Sequence, residues 1–140
     1  MVSVVRADLF TAPDFSSLAH CISRDCKLGA GIAFLFRQRF GRIGELREMC
    51  VKVGGVAPLR VGNRFVYNLV TKERYFSMPT YDSLRESLLC MREHSLLHGV
   101  TEICMPQIGC GLDGLIWTKV KGLLDEIFHD VDINVTVYVL

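Results

Sequence analysis

Two short glycine clusters, each set directly behind an apolar run and ahead of a helix-like run, constrain this chain more than any other feature. Gly29-Ala30-Gly31 follows the mostly apolar stretch Ser17 to Ile22 and opens onto Ile32-Ala33-Phe34-Leu35-Phe36. Gly109-Cys110-Gly111 follows Glu102 to Met105 and leads toward the helical pattern that begins at Ile116. Small residues at a strand-to-helix passage let the backbone approach a ligand closely, and the free N–H groups of a helix start offer partial positive charge to an anion. In open α/β sheets such loops fall outside the carboxyl ends of strands, where ligands collect. One loop of this kind is commonly only a tight turn that needs positive φ. Two in equivalent positions point to a cradle for the two halves of a diphosphate. Neither fits the Walker pattern, because Lys27 precedes its glycines and no Gly-Lys-Ser/Thr follows, and the three-glycine dinucleotide fingerprint is absent.

The remaining segments predict an α/β architecture. Val2 to Arg6 and Ser17 to Ile22 read as strands, and a second short helix is expected after Gly41 toward Val51. Val56 to Arg60 and Arg64 to Val70 flank Val61-Gly62-Asn63, which predicts two antiparallel strands joined by a tight turn. Thr80 or Asp82 is a candidate N-cap for a helix carrying Leu84, Leu88 and Met91, which Gly99 ends. Ile116, Val120, Leu123, Leu124, Ile127 and Phe128 form one face of a later helix, and Ile133 to Leu140 alternates as a final strand. Helices interleaved with short strands give layered α/β, with a mixed sheet because one connection is too short for a parallel crossover.

A length of 140 residues, half of them hydrophobic, matches one domain over 1–140 with a real core. Sixteen basic against fifteen acidic residues exclude a strong overall field for nucleic acid or membrane. The six cysteines lie mostly in apolar or helical stretches and read as small hydrophobes, and the histidines and cysteines lack paired metal-ligand spacing. No start resembling a secretion signal is present, so an intracellular, reduced setting is expected.

Several blocks keep their order and spacing from near the first residue to the last: Asp8-Leu9-Phe10, Ser17-Leu18-Ala19-His20-Cys21-Ile22-Ser23, Gly29-Ala30-Gly31-Ile32-Ala33, Leu69-Val70-Thr71-Lys72, Pro79-Thr80-Tyr81, Met105-Pro106-Gln107-Ile108-Gly109-Cys110-Gly111-Leu112-Asp113, and Thr136-Val137-Tyr138-Val139-Leu140. Together they resemble the macrodomain family, most closely its branch of terminal ADP-ribose protein glycohydrolases, also described as O-acetyl-ADP-ribose deacetylases. The resemblance implies a macrodomain fold, a three-layer α/β/α sandwich around a mixed, mainly parallel sheet, with ADP-ribose across the strand ends. It implies that Asp8 accepts from the adenine amino group, with Leu9, Tyr138 and Leu140 bordering the base. It implies that Gly29, Ala30, Gly31 and Ile32, together with Gln107, Ile108, Gly109, Cys110, Gly111 and Leu112, hold the diphosphate and distal ribose, with Pro106 beside them among the ligand-binding residues. His20, Ser23 and Thr71 are implied as further ligand-lining residues. No cofactor or metal is implied. The partners implied are ADP-ribose and ADP-ribosylated proteins, with ADP-ribosylated nucleic acid or a non-catalytic reader role as alternatives. A monomer, a nuclear or cytoplasmic location in a eukaryotic cell and a part in the DNA damage response are expected on the same ground.

The resemblance also implies a catalytic pair, Lys72 and Asp113. An amine can attack the anomeric carbon of the distal ribose, or its opened aldehyde, to form a lysyl-ADP-ribose intermediate, releasing the carboxylate of a modified Glu or Asp, and a carboxylate can then activate the water that resolves it. Lys72 must shed its proton to act; burial and an inward-pointing Arg74 favour that form, and Asp113 opposes it. The bland readings are an exposed strand-end lysine and an aspartate that caps the next helix. His20, inside an apolar strand, also reads as a structural histidine, and Cys110 as a small residue between glycines that lacks a histidine partner. Gln107 stands where the resemblance expects arginine, which removes a charge near the phosphates. Glu73-Arg74-Tyr75-Phe76-Ser77-Met78 is more aromatic than the resemblance leads one to expect and reshapes the mouth where the modified macromolecule docks.

Overall fold

Residues 1–140 are described by a computed structural model. The chain runs β1 (Val2–Arg6), a single 3-10 turn (Leu9–Thr11), β2 (Ser17–Ser23), α1 (Gly31–Phe40), α2 (Ile43–Met49), β3 (Val56–Val61), β4 (Arg64–Lys72), α3 (Tyr81–Leu97), β5 (Glu102–Met105), α4 (Trp117–Phe128) and β6 (Asn134–Val139). All six strands join one sheet in the order β1-β6-β5-β2-β4-β3. Only the β3–β4 pair is antiparallel, closed by the two-residue turn Gly62-Asn63 between the paired residues Val61 and Arg64. The remaining pairings are parallel, as expected where helical crossovers connect strands.

Alternation along β2 explains the layers. Leu18 and Ile22 join a cluster with Phe36 of α1 and Leu46 of α2, while Ala19 joins one with Leu84 and Leu88 of α3 and Leu124 and Phe128 of α4. The sheet is therefore covered on both faces, and the α/β/α sandwich implied by the resemblance is the architecture found. Leu88 and Phe128 have no exposed surface. Truncating either to Ala costs about 2–5 kcal/mol.

Two local expectations are refined. Thr80, and not Asp82, caps α3: its hydroxyl accepts from Ser83 N at 3.0 Å and the Ser83 hydroxyl accepts from Thr80 N at 3.1 Å. Ile116 leaves the buried face of α4, because it is the N-cap residue, where the chain is still extended, and it is 54% exposed. No helix is long and apolar enough to cross a membrane.

One feature of the sheet positions the site. The adjacent strands β2 and β5 pair over only two residues, Ser17 with Ile103 and Leu18 with Cys104. Beyond them the strands share no rung, and the C-terminal half of β2 and the loop after β5 border a gap. This is also where the strand order switches direction, the place where a crevice forms in open α/β sheets.

Candidate functional site

A cavity of about 920 Å³ fills that gap. Drug- and cofactor-sized ligands occupy clefts of roughly 300–1,000 Å³, so a dinucleotide-like ligand fits with room to spare. Its walls come from the end of β2 (Cys21, Ile22, Ser23), the loop into α1 (Lys27 to Ala33), the end of β4 (Lys72), the segment Tyr75 to Met78, and the loop after β5 (Pro106 to Gly109, then Gly111 to Asp113).

The first glycine loop is held by its own side chains. Cys26 and Leu28 adopt left-handed φ of 55° and 46°, which non-glycine residues rarely do, and both are buried against α1 and α2. Their burial fixes a strained backbone, leaving Gly29 and Ala30 exposed on the cleft side. Gly31 begins α1 at φ +60°, and an added Cβ there would meet Leu112 Cδ1 of the other loop at 3.6 Å, so the two loops face each other across the cleft. Gly109 is favoured by its φ of +72°, and a Cβ there would lie 2.8 Å from Leu115 Cδ1, so that methyl would have to move.

Lys72 and Asp113 meet. Nζ donates to Asp113 Oδ1 at 2.6 Å, with side chains 14% and 18% exposed, so the pair is shielded without being sealed from the cleft. Three constraints set Lys72. Its carbonyl accepts from Arg24 N at 2.8 Å, the preceding carbonyl of Thr71 accepts from the Ser83 hydroxyl at 2.7 Å, and the β2–β4 register skips Thr71, pairing Ile22 with Val70 and Ser23 with Lys72. A skipped residue of this kind re-aims the next side chain. Asp113 does not cap α4, whose N-cap is Ile116. Arg74 is exposed and contributes nothing to the cleft wall, so the charge beside Lys72 is that of Asp113.

Cys21 lies on the floor next to this pair. Its thiol is pushed up to about 12, chiefly by burial and then by the charge of Asp113, with the Thr71 hydroxyl and Gly109 backbone acting in the opposite direction. Burial also raises the Cys110 thiol, which packs on the core and does not line the cleft. Neither thiol is suited to nucleophilic work at neutral pH.

Asp25 ties the two rims together. Its carboxylate accepts from the Ser23 hydroxyl, from Lys27 N at 3.3 Å and from Tyr75 N at 2.9 Å. Burial pushes this carboxyl up, but those three hydrogen bonds and the Lys27 charge outweigh it and hold the group below its ordinary range. Tyr75 and Phe76 stand 59% and 73% exposed at the mouth, edge to face at 5.3 Å, with Lys27 Nζ 5.8 Å from the Tyr75 ring centre.

The residues implied as ligand-binding divide into three groups. Ser23, Gly29, Ala30, Gly31, Ile32, Pro106, Gln107, Ile108, Gly109, Gly111 and Leu112 line the cavity, with Lys72 and Asp113 at one end. Asp8, Leu9, Tyr138 and Leu140 lie outside it, around the C-terminal ends of the parallel strands β1 and β6, where Ala7 N donates to Val139 O at 2.9 Å. Asp8 Oδ1 accepts from Phe10 N at 2.9 Å, Leu9 is a core residue, and Leu140 is 93% exposed. His20, Thr71 and Cys110 have no face in the cavity. His20 is fully buried on the α1 side, its ring stacked on Phe36 at 3.8 Å and its Nε2 2.6 Å from Asn68 Oδ1. Asn68 Nδ2 donates to Ala57 O and Val66 O, so Oδ1 is the acceptor and His20 Nε2 the donor, leaving Nδ1 unpartnered. Burial pushes this imidazole down to about 4, against the raising effect of the Asn68 hydrogen bond. The sequence reading missed Cys21, Lys27 and Arg37 as lining residues, whereas the segment Tyr75 to Met78, expected at the mouth, does form part of the wall.

No family model matches the chain. It is 48% identical over 139 residues to the ADP-ribose glycohydrolase OARD1 of Bos taurus and to that of Homo sapiens, an overlap covering 99% of this chain and 91% of each relative. Among solved structures, the macrodomain of Mycobacterium tuberculosis DarG superposes with a TM-score of 0.91 at 20% identity, covering 100% of this chain and 98% of that one. The macrodomain of Thermus aquaticus DarG gives 0.89 at 24% identity, covering 99% and 97%. With that fold, and with nearly half its residues shared along almost the whole length of both curated relatives, the chain belongs to the OARD1 family of macrodomain ADP-ribose glycohydrolases.

Proposed function

We propose that this protein is an ADP-ribose glycohydrolase that releases ADP-ribose from modified acidic side chains through Lys72. The observation that carries this reading is the Lys72–Asp113 contact of 2.6 Å at the end of a cleft walled by two glycine loops. The loops present backbone N–H groups to a diphosphate at the start of α1 and after β5, which sets the distal ribose against the pair. Asp113 takes a proton from the Lys72 ammonium and passes it to solvent. The free amine attacks the anomeric carbon, the C–N bond forms, and the ester C–O bond breaks with its electron pair leaving on the acceptor carboxylate, which needs no acid to depart. In the second half a water attacks the same carbon, Asp113 accepts its proton, Nζ leaves, and the proton returns from Asp113 to the amine. The same attack serves O-acetyl-ADP-ribose when the leaving group is acetate on the anomeric oxygen.

The test is intact-mass analysis after incubation with an ADP-ribosylated peptide. Wild type is expected to form an ADP-ribose adduct on Lys72 and release free ADP-ribose. Lys72→Ala is expected to bind ADP-ribose with neither adduct nor turnover, and normal turnover by that variant sinks the mechanism. A second reading of the acceptor draws on the exposed Tyr75 and Phe76 beside Lys27, since aromatic surface next to cations suits a stacked nucleobase. Release from modified single-stranded DNA faster than from modified peptide favours it.

A further inference from the structure

The uncharged Gln107 leaves the second glycine loop without a cation, yet a diphosphate brings two negative charges into the cleft. Three cationic side chains line it: Lys27, Arg37 and Lys72. Lys72 is neutralised by Asp113, and Lys27 extends toward the Tyr75 ring at the mouth. Arg37 remains. It sits in the second turn of α1, and because helix side chains lean toward the N-terminus, it reaches back along the first glycine loop. There Nη1 donates to Lys27 O at 3.1 Å, a contact that pins the guanidinium against the loop backbone. Its other N–H groups have no protein partner and it makes no ion pair, whereas the neighbouring arginines are engaged: Arg39 over the Phe10 ring at 4.3 Å, Arg42 with Glu45 at 2.8 Å, and Arg24 with Glu73 at 3.4 Å.

The geometry points to Arg37 as the residue that supplies charge to the diphosphate, from α1 and not from the loop after β5. This inference rests on the ADP-ribose reading proposed above. Arg37 is anchored by one hydrogen bond and offers its remaining donors in a planar fork suited to a phosphate edge. It acts together with the α1 N-terminus, so one helix contributes both its dipole and its only cleft-facing arginine to the same ligand group. Because Arg37 is exposed, its contribution is partly screened by salt.

The experiment is calorimetric titration of ADP-ribose into wild type, Arg37→Gln, Arg37→Lys and Arg39→Gln at low and high salt. Arg37→Gln is expected to bind about tenfold more weakly, near the lower end of charge-assisted hydrogen bonds, with a shallower salt dependence. Arg37→Lys is expected to recover part of the affinity and the salt slope, and Arg39→Gln to stay within about twofold of wild type on the same scale. The inference is overturned if Arg37→Gln binds within twofold of wild type. It is equally overturned if that variant is weaker with an unchanged salt slope, which would mark loop deformation and not charge, or if Arg39→Gln weakens binding as much. Wild type that does not bind ADP-ribose at all refutes the parent reading, an outcome separate from failure of Arg37 alone.

Discussion

Asp25, in the turn after β2, accepts the backbone N–H of Tyr75 at 2.9 Å, 50 residues further along the chain, and so joins the glycine loop to the aromatic rim of the cleft. Its carboxylate also takes the Ser23 hydroxyl and Lys27 N–H, which occupies Ser23 within the protein and leaves that residue a wall of the cleft more than a free donor. Since the folded carboxyl lies below its ordinary value, the clasp is complete above that value and opens as pH falls through the lower, folded one. Asp25→Ala is expected to speed amide exchange at Tyr75 and Lys27 at neutral pH while leaving Leu88 and Leu124 in the core protected. Exchange NMR checks this, and unchanged protection at Tyr75 removes the clasp.

Two glycines separate turn geometry from ligand approach. Gly109 needs positive φ, and an added Cβ would also push the Leu115 methyl aside, so Gly109→Ala is expected to lose about 1–2 kcal/mol of stability from the backbone alone. Gly29 has neither constraint, with nothing within 4 Å of an added Cβ. Gly29→Ala is expected to melt within a degree or two of wild type yet bind ADP-ribose about tenfold more weakly, because a methyl group would stand where the diphosphate meets the loop. Thermal melts paired with calorimetry decide, and unimpaired binding by Gly29→Ala would make the first loop a turn and nothing more.

His20 makes the fold sensitive to mild acid. Below its ordinary value of 6.5 the unfolded chain takes up a proton that the folded state refuses until about 4. Stability therefore falls as pH drops from 6.5 to 4, by on the order of 3 kcal/mol across the window. His20→Gln keeps a donor for Asn68 Oδ1 without titrating. Its melting temperature is expected to start lower, for want of the Phe36 stack, and to change less over this range than that of wild type.

Alkylation gives a probe of the cleft floor. With its thiol pushed up to about 12, Cys21 is expected to resist iodoacetamide at pH 8, while the exposed Cys50 is labelled. Asp113→Asn removes one of the charges that raises Cys21 and is expected to quicken its labelling. Peptide mapping over a time course reads both rates, and rapid labelling of Cys21 in wild type contradicts the burial described.

What the sequence made legible was local. The glycine loops and the Gly62-Asn63 hairpin depend on a few adjacent residues and form where the pattern placed them, and of the two caps it offered, Thr80 and Asp82, the structure uses Thr80. Lys72 and Asp113 were named through whole-chain resemblance; nothing in their own neighbourhoods announced that residues 41 apart would touch. The skipped register at Thr71 depends on the partner strand, and so the sequence did not reveal which residues of β4 would face the cleft. For His20 a usable signal was present: strict alternation puts it on the face of Leu18 and Ile22, opposite Cys21, and Cys21 is the one beside Asp113. Arg37 was hidden because its role depends on a helix side chain leaning back over the preceding loop, a direction that spacing alone does not encode.

The two-rung seam between β2 and β5 also bears on how the molecule transmits force. To one side lie β1, β6 and β5, to the other β2, β4 and β3, and across the seam the backbone ladder is short while the apolar cores on both faces of the sheet run through it. A ligand held by the loop before α1 and the loop after β5 would span both halves and lengthen a short backbone zipper with contacts of its own. Occupancy would then stiffen the halves against each other, and the protein's resistance to being pulled or sheared apart would become a measure of whether its pocket is filled.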